Sequence, residues 1–465
     1  MSVETLHASE LIAGREIGLS EQVIDEIIDA QQTRIFDLGE LVIRTDNGDT
    51  RLIKAARGIS GPDNGSMDKG GSRMTSKGVQ DDLDTLPQDM WAKLHQGGFT
   101  DIDGKPLNGG KLLFDVDPNS LSHTEKIHTF AAAAEAMLNK GIAGHRKSVP
   151  AGDMGTNHSD YMDAFASIVR ASGDPHWRGS ITGKSVPMGG LEFRPHATGY
   201  GVYLSVDHQR EQLELDVARI TISGAGNVGG YLGYYASQDE QQHFNIRGYS
   251  DLWGTLVVES EEGMQVTDEL LDIMDNPNFS RDLKYAAYEG NKLAAMRDVL
   301  ARTQPNLKTH IHDDPDHIME VPTDIFVPAS VRNLINQRTA PKLAALAVNE
   351  AGNDTITGEG YAILATRGIS IIPGTIANAG GVATSMDEQK AGIRGTTLSF
   401  KEAKGLATES ALSRLARMEA MAKQLGTTDY QLAACALGMA GMAIQLGHSI
   451  DARVATVLRP YALVV

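Results

Sequence analysis

One cysteine, Cys435, is all that the 465-residue chain carries. A disulfide framework within the chain is therefore excluded, and a cysteine-based zinc site lacks its ligands. No apolar run approaches the roughly 20 residues needed to span a bilayer. The opening stretch MSVETLHASELIAGREIGLS has neither the basic n-region nor the apolar h-region of a secretory signal. Basic character is scarce too: 42 Lys and Arg face 60 Asp and Glu, a net charge of −18. An acidic surface of this kind argues against nucleic acid or an anionic membrane as partner, while a few lysines inside a cleft can still reverse the local field for a small anion. Internal repeats and low-complexity tracts are absent. At 41% hydrophobic and 22% charged residues the composition is that of a globular protein, and the length suits two domains. A cytoplasmic enzyme is the expectation.

What is abundant is glycine, with 49 residues, many of them paired inside short motifs. Residues 1–50 predict helices, including LSEQVIDEIIDAQQTRIF, followed by a strand at ELVIRT. From 51 to 120 the chain reads as loop-rich. SHTEKIHTFAAAAEAMLNKG, HSDYMDAFASIVRAS and TGYGVYLSVDHQREQL predict three helices. The pattern then alternates. RITIS, FNIRGYSD, TDIFVPAS and GISIIP read as buried strands with helices between them, which implies a doubly wound parallel sheet. From about 385 onward the chain is Ala- and Leu-rich helix. Met418, Met421, Met439 and Met442 there read as core or subunit-contact packing.

Gly224-Ala225-Gly226-Asn227-Val228-Gly229 is a G-x-G-x-x-G. By itself the pattern is weak. Here it follows an apolar strand and opens a helix, the context a dinucleotide fingerprint requires. Helix N-terminal amides would receive the pyrophosphate. Asp251, at the end of the next strand, can accept from a ribose diol and would repel a 2′-phosphate, so NAD is expected, with NADP as the alternative.

Further segments complete a series: Lys69-Gly70-Gly71-Ser72-Arg73, Gly109-Gly110-Lys111, Pro150-Ala151-Gly152-Asp153-Met154-Gly155-Thr156 and Asn378-Ala379-Gly380-Gly381-Val382 with Ser385 beyond. Between them lie Thr182-Gly183-Lys184, Gly189-Gly190, Arg194, Ala197-Thr198-Gly199, Pro328-Ala329-Ser330, Asn333 and Asn353. In this order and spacing, from near 50 to near 390, the chain resembles the glutamate, leucine, phenylalanine and valine dehydrogenase superfamily. The resemblance implies a two-domain α/β enzyme. Residues 1–200, completed by helices of 381–465, would form the substrate and oligomerisation domain, and 201–380 a Rossmann-type domain, with the substrate held in the cleft. It also implies NAD-dependent oxidative deamination of an L-amino acid and a homo-oligomer, often a hexamer.

By the same resemblance, Lys111 is the catalytic lysine and Asp153 the carboxylate that shuttles protons. A lysine shielded from water has a lowered pKa and can serve as a base near neutral pH. Lys93 is the candidate for the α-carboxylate, with Lys105 competing because HQGGFTDIDGKPLN reads as an insertion. Lys69, Gly70, Gly71, Val382 and Ser385 would bind substrate. Thr198, Gly224, Gly226, Asn227, Val228, Gly229, Asp251, Ala329, Ser330, Asn333, Asn353 and Asn378 would hold the cofactor. A lysine at 69 favours the glutamate branch, since branches acting on leucine or phenylalanine carry an apolar residue there. The opposing reading has Lys69 pointing to solvent from the flexible stretch PDNGSMDKGG. Departures from the family pattern are Leu112-Leu113 where two glycines are usual, Pro373-Gly374 where an aspartate commonly follows proline, MDEQKAG after Ser385 without aromatics, and a first fifty residues without likeness. Leu112-Leu113 motivates the third alternative, a non-catalytic nucleotide- or amino-acid-binding homologue, beside glutamate and branched-chain or aromatic substrates. No metal site is expected. His310, His312 and His317 in HIHDDPDH read as a surface loop.

Overall fold

The computed structural model describes residues 3–76, 79–153, 155–276 and 278–458. Two compact units form. The first comprises Glu10–Arg194, Val382–Ala407 and Cys435–Val465, the second Met1–Ser9, Pro195–Gly381 and Thr408–Ala434. The C-terminal residues thus divide between the units, whereas the sequence reading assigns all of 381–465 to the first. Thr408–Ala434 joins the second through contacts such as Arg414 Nε donating to the Ile376 carbonyl at 3.3 Å and the His208–Glu419 pair at 3.0 Å.

In the first unit, the part of α1 (Val3–Glu16) from Glu10 onward and α2 (Glu21–Gln31) precede the sheet. The Ser20 hydroxyl caps α2 by accepting from the Val23 amide. A five-stranded sheet follows, in the order β1 (Arg34–Arg44), β2 (Thr50–Ser60), β4 (Asn108–Asp115), β3 (Asp68–Thr75), β5 (Ser148–Ala151). The expectation of loops over 51–120 is corrected here: three of these strands and α3 (Val79–Gly97) occupy that span. Its glycines sit inside strands because backbones crowd there. A Cβ on Gly70 would lie 1.7 Å from the Gly110 carbonyl oxygen, and one on Gly109 would lie 2.3 Å from the Trp91 amide of α3. The loop-rich reading of this span missed the strands, since the backbones that require these glycines are remote in sequence.

Leu112 and Phe114 face a core shared with α4 (His123–Asn139) and α5 (Ser159–Ala171), including Phe130, Ala133 and Phe165. Leu113 faces the opposite side with Leu83 and Leu86 of α3, as the alternation of a strand dictates. Ser122 and Glu125 cap α4 reciprocally in a capping box.

The second unit holds α6 (Ala197–Gln212), β6 (Ala218–Ser223), α7 (Asn227–Ser237), β7 (Phe244–Asp251), β8 (Gly254–Val258), α8 (Asp268–Asp275), α9 (Lys292–Thr303), β9 (Thr309–His312), β10 (Ile325–Pro328), β11 (Ala347–Asn349), α10 (Gly358–Thr366), β12 (Ser370–Ile372) and α11 (Gly374–Ala377). Its seven-stranded sheet runs β12-β11-β10-β6-β7-β8-β9. The first five strands are parallel, β8 pairs antiparallel with β7, and β9 pairs antiparallel with β8. His310 and His312 therefore lie on an edge strand rather than in a loop. Only four residues long and polar, β9 gives no periodic signal of its own. The core is apolar, with Ile220, Ile222, Ile246, Tyr249 and Val327 buried between helix layers. The remaining helices are α12 (Gly380–Arg394), α13 (Phe400–Leu425), α14 (Tyr430–Gln445) and α15 (Ala452–Leu458). Met418, Met421, Met439 and Met442 are buried.

Candidate active site

Strand register assembles the first group of residues. β3 lies between β4 and β5, so Lys69 is opposite Gly109 on one side and Val149 on the other. Lys69 is only 2% exposed, which sets aside the solvent-facing alternative. Its Nζ donates to Thr182 Oγ1 at 2.9 Å, and Thr182 shares a hydrogen bond with Ser385 at 2.5 Å. Thr182 reaches this place because its amide donates to the Pro150 carbonyl, extending β5. Burial pushes the Lys69 ammonium down to about 7; Glu388 opposes the shift, while Arg57, Arg194 and Lys184 add to it.

Around this lysine the charges are themselves buried. Glu388 accepts from Lys184 Nζ at 2.6 Å and from the Gly183 amide at 2.9 Å. Arg57 is fully buried against Asp68, which also accepts from Ser148 Oγ at 2.9 Å. Three cations and one carboxylate act on Lys69, so a bound anion would relieve an excess of positive charge.

Lys111, one position beyond the glycines of β4, pairs with Asp153 Oδ2, and Arg73 Nη2 approaches the same oxygen at 3.3 Å. Thr156 holds the Asp153 segment: its hydroxyl accepts from the Asp153 amide at 3.1 Å and donates to the Ser72 carbonyl. Gly71 is required for this closure, because a Cβ there would meet Asp153 Cβ at 2.8 Å. Leu112 and Leu113 do not crowd the lysine; each is fully buried on its own side of the sheet. Val382 packs beside Val149 and Met386. Lys93 is half-buried on α3, whereas Lys105 is exposed. The segment reading as an insertion forms a closed turn, with Asp101 accepting from the Asp103 and Lys105 amides.

In the second unit, Gly224 follows β6 at φ +121°, and Gly226 caps the start of α7 with nothing within 4 Å of where a Cβ would lie. A Cβ on Gly229 would strike the Gly224 carbonyl oxygen at 2.1 Å. One glycine turns the chain, one leaves room in front of the helix N-terminus, and one brings helix to strand, which fits a pyrophosphate. Val228 follows on α7, and its carbonyl abuts Gly199, next to Thr198 in the first turn of α6. Asn227 is held by Asp275 at 2.7 Å. Asp251 ends β7 and accepts from the Trp253 amide at 2.7 Å. Burial raises its carboxyl above the ordinary value, against the pull of that amide and of Lys292.

Beside the glycine turn, Ala329 donates its amide to the Ser223 carbonyl at 2.7 Å, and Ser330 Oγ meets Ser223 Oγ at 3.0 Å. Asn378 Nδ2 donates to Asn353 Oδ1 at 3.1 Å. Asn333 has φ +59° and bonds the Asp354 carbonyl through its amide. Sequence reasoning did not single out Arg57, Asp68 or Glu388. Glu388 lies in the segment flagged only for lacking aromatics, and its partner Lys184 is 204 positions away.

A Rossmann-type unit with this glycine turn is the architecture of an α/β dehydrogenase, and the buried Lys69 and the Lys111–Asp153 pair lie in the other unit. Residues 189–445 match the family described as glutamate/leucine/phenylalanine/valine dehydrogenase, and residues 38–169 match the dimerisation domain of that family. The chain belongs to this family of amino-acid dehydrogenases. Among its relatives is the cryptic catabolic NAD-specific glutamate dehydrogenase of Bacillus subtilis, 28% identical over 75% of this chain and 73% of the relative. The NAD-specific glutamate dehydrogenase of Staphylococcus aureus is 27% identical over 80% of each. In fold the chain is similar to the glutamate dehydrogenase of Peptoniphilus asaccharolyticus, with TM-score 0.72 and 23% identity over 95% of this chain and 98% of the other. The hetero-hexameric glutamate dehydrogenase of Thermus thermophilus gives TM-score 0.77 at 19% identity, over 95% of each chain.

Proposed function

We propose that the enzyme oxidises L-glutamate to 2-oxoglutarate and ammonia with NAD. The observation that carries this reading is the buried Lys69, bonded to Thr182 and through it to Ser385. An aliphatic substrate side chain would leave that charge desolvated and unpaired, whereas a side-chain carboxylate would neutralise it. The second unit fits NAD through Gly224, Gly226, Gly229 and the α7 N-terminus, with Asp251 toward the ribose. The chemistry such a group supplies is acceptance of the hydride from the substrate α-carbon. The NAD-specific relatives support the same choice.

Lys69 and Ser385 grip the distal carboxylate and Lys93 the α-carboxylate. Lys111 takes the proton from the substrate ammonium. Water then adds to the imine carbon, and Asp153 accepts a proton from that water and returns one to the departing amine, so ammonia leaves as the carbonyl forms. The Lys111–Asp153 pair holds both groups ready on adjacent positions. Turnover of NAD with a panel of L-amino acids, followed by NADH absorbance, tests the reading. Turnover confined to glutamate supports it; turnover of leucine, valine or phenylalanine with glutamate refused would replace it with the branched-chain or aromatic reading.

A pH dependence follows from Lys69. Its carboxylate-binding form is the ammonium, present below about 7 in the free protein. KM for glutamate is expected to rise about tenfold per pH unit above that point, while KM for NAD does not. Between about 7 and 10.5 the unfolded chain holds a proton that the folded one lacks, so folding stability without substrate rises with pH across that window. A glutamate KM that stays flat from neutrality upward would remove the Lys69 charge from recognition.

The chain also assembles with itself, on this reading, through the first unit. β1 is an edge strand, and the cross-strand pair Val42–Leu52 presents apolar side chains that are 61% and 57% exposed. An uncovered apolar edge of this kind is a template for pairing. Val42→Lys is expected to shift the protein toward smaller species in light scattering, with its circular dichroism unchanged.

A further inference from the structure

A second cluster of chemistry-bearing side chains lies in the first unit at the start of α4 and α5. His123 is the first residue of α4 and His158 caps α5, with Asp160 in its first turn. One atom from each of the three lies within 4.8 Å of the others. His123 Nε2 is 2.9 Å from Asp160 Oδ2, and His158 Nδ1 is 3.7 Å from the same oxygen. The two imidazoles meet edge to face with centroids 4.5 Å apart. His123 Nδ1 is 3.1 Å from the Tyr161 hydroxyl.

This arrangement serves a cation better than it serves the protein alone. Asp160 Oδ2 faces two imidazoles; His123 Nε2 is within hydrogen-bond distance of it, while His158 Nδ1 accepts from the Asp160 amide at 3.2 Å, a bond that an ion at that nitrogen would replace. A tetrahedral ion with bonds of about 2.0–2.1 Å places its donors roughly 3.3 Å apart; the two nitrogen–carboxylate spacings of 2.9 and 3.7 Å bracket that value, and all three donors lie within 4.8 Å of one another. Two imidazoles and a carboxylate are the ligand set that zinc and its neighbours prefer over magnesium or calcium. Tyr161 would orient His123 through the ring nitrogen that the metal leaves free.

We propose that His123, His158 and Asp160 bind a divalent transition-metal ion of the zinc class, which ties the start of α5 to the start of α4. Asp153 lies five residues before His158 on the same segment, so the ion braces the stretch that positions the Asp153 carboxylate. The site is separate from the substrate pocket and needs none of its residues.

Titration of metal-free protein with zinc chloride by calorimetry tests this, with magnesium as the comparison. One zinc per chain at micromolar affinity is expected, with no heat from magnesium. His123→Ala and His158→Asn, the latter keeping a cap for α5, should each weaken zinc binding at least tenfold. Both rings are close to half exposed, at 47% and 45%, so the variants are expected to fold. Zinc should raise the melting temperature of the natural protein but not of the double variant. Zinc affinity equal in the natural protein and the double variant would overturn the proposal, as would no binding by the natural protein.

Discussion

Lys69→Leu is expected to lower kcat/KM for glutamate about thousandfold, equivalent to about 4 kcal/mol at about 1.4 kcal/mol per tenfold. The side chain is buried, its ammonium is held by Thr182, and cations outnumber carboxylates around it. The substitution removes the charge that a distal carboxylate needs, so the loss falls on glutamate rather than on the chemistry. Activity with an aliphatic amino acid is expected to rise from its starting level, because a leucine-lined pocket no longer penalises an apolar chain. Folding should not suffer, since a desolvated lysine is replaced by an apolar side chain of similar length. Parallel kinetics on glutamate and leucine, with a thermal melt, check all three statements. Unchanged glutamate kinetics would show that Lys69 does not face the substrate.

Asp153→Asn should leave the fold and NAD affinity intact and reduce kcat by about three to four orders of magnitude, the scale of a lost general acid–base group. Asparagine keeps the shape and can still accept from Lys111 and Arg73, but it cannot take up a proton at the working pH. The Thr156 contacts, which involve the backbone of residue 153, remain. The decrease should appear in kcat more than in KM for glutamate, because the residue is not assigned to either substrate carboxylate. Single-turnover kinetics beside steady-state kinetics would separate chemistry from product release. A near-normal kcat would remove Asp153 from the proton path.

Much of the second unit was readable in advance. The strand RITIS, the glycine turn and the α7 start are contiguous, so their geometry follows from local rules, and Asp251 falls at a strand end because the βαβ unit has a regular length. The first unit was harder. Its strands β2, β3 and β4 read as loops, since the glycines in β3 and β4 answer to backbones brought close by other elements rather than to their own neighbours. The Leu112-Leu113 departure, which motivates the non-catalytic alternative, is accommodated by the pleat, which sends the two side chains to opposite cores.

The order of motifs along the chain determined the family and the Rossmann turn, along with the identities of Lys69, Lys111, Asp153 and Ser385 as the groups to watch. These are properties of short segments whose residue types and spacing carry the chemistry. Only the tertiary structure decided that Lys69 is buried, with burial pushing its ammonium down to about 7, that Arg73 joins Lys111 on Asp153, and that Glu388 and Lys184 form a buried ion pair whose charges act on Lys69. The reason is physical: burial and ion pairing depend on sheet register and on which distant strand or helix closes over a side chain, and no local pattern encodes a contact across two hundred residues.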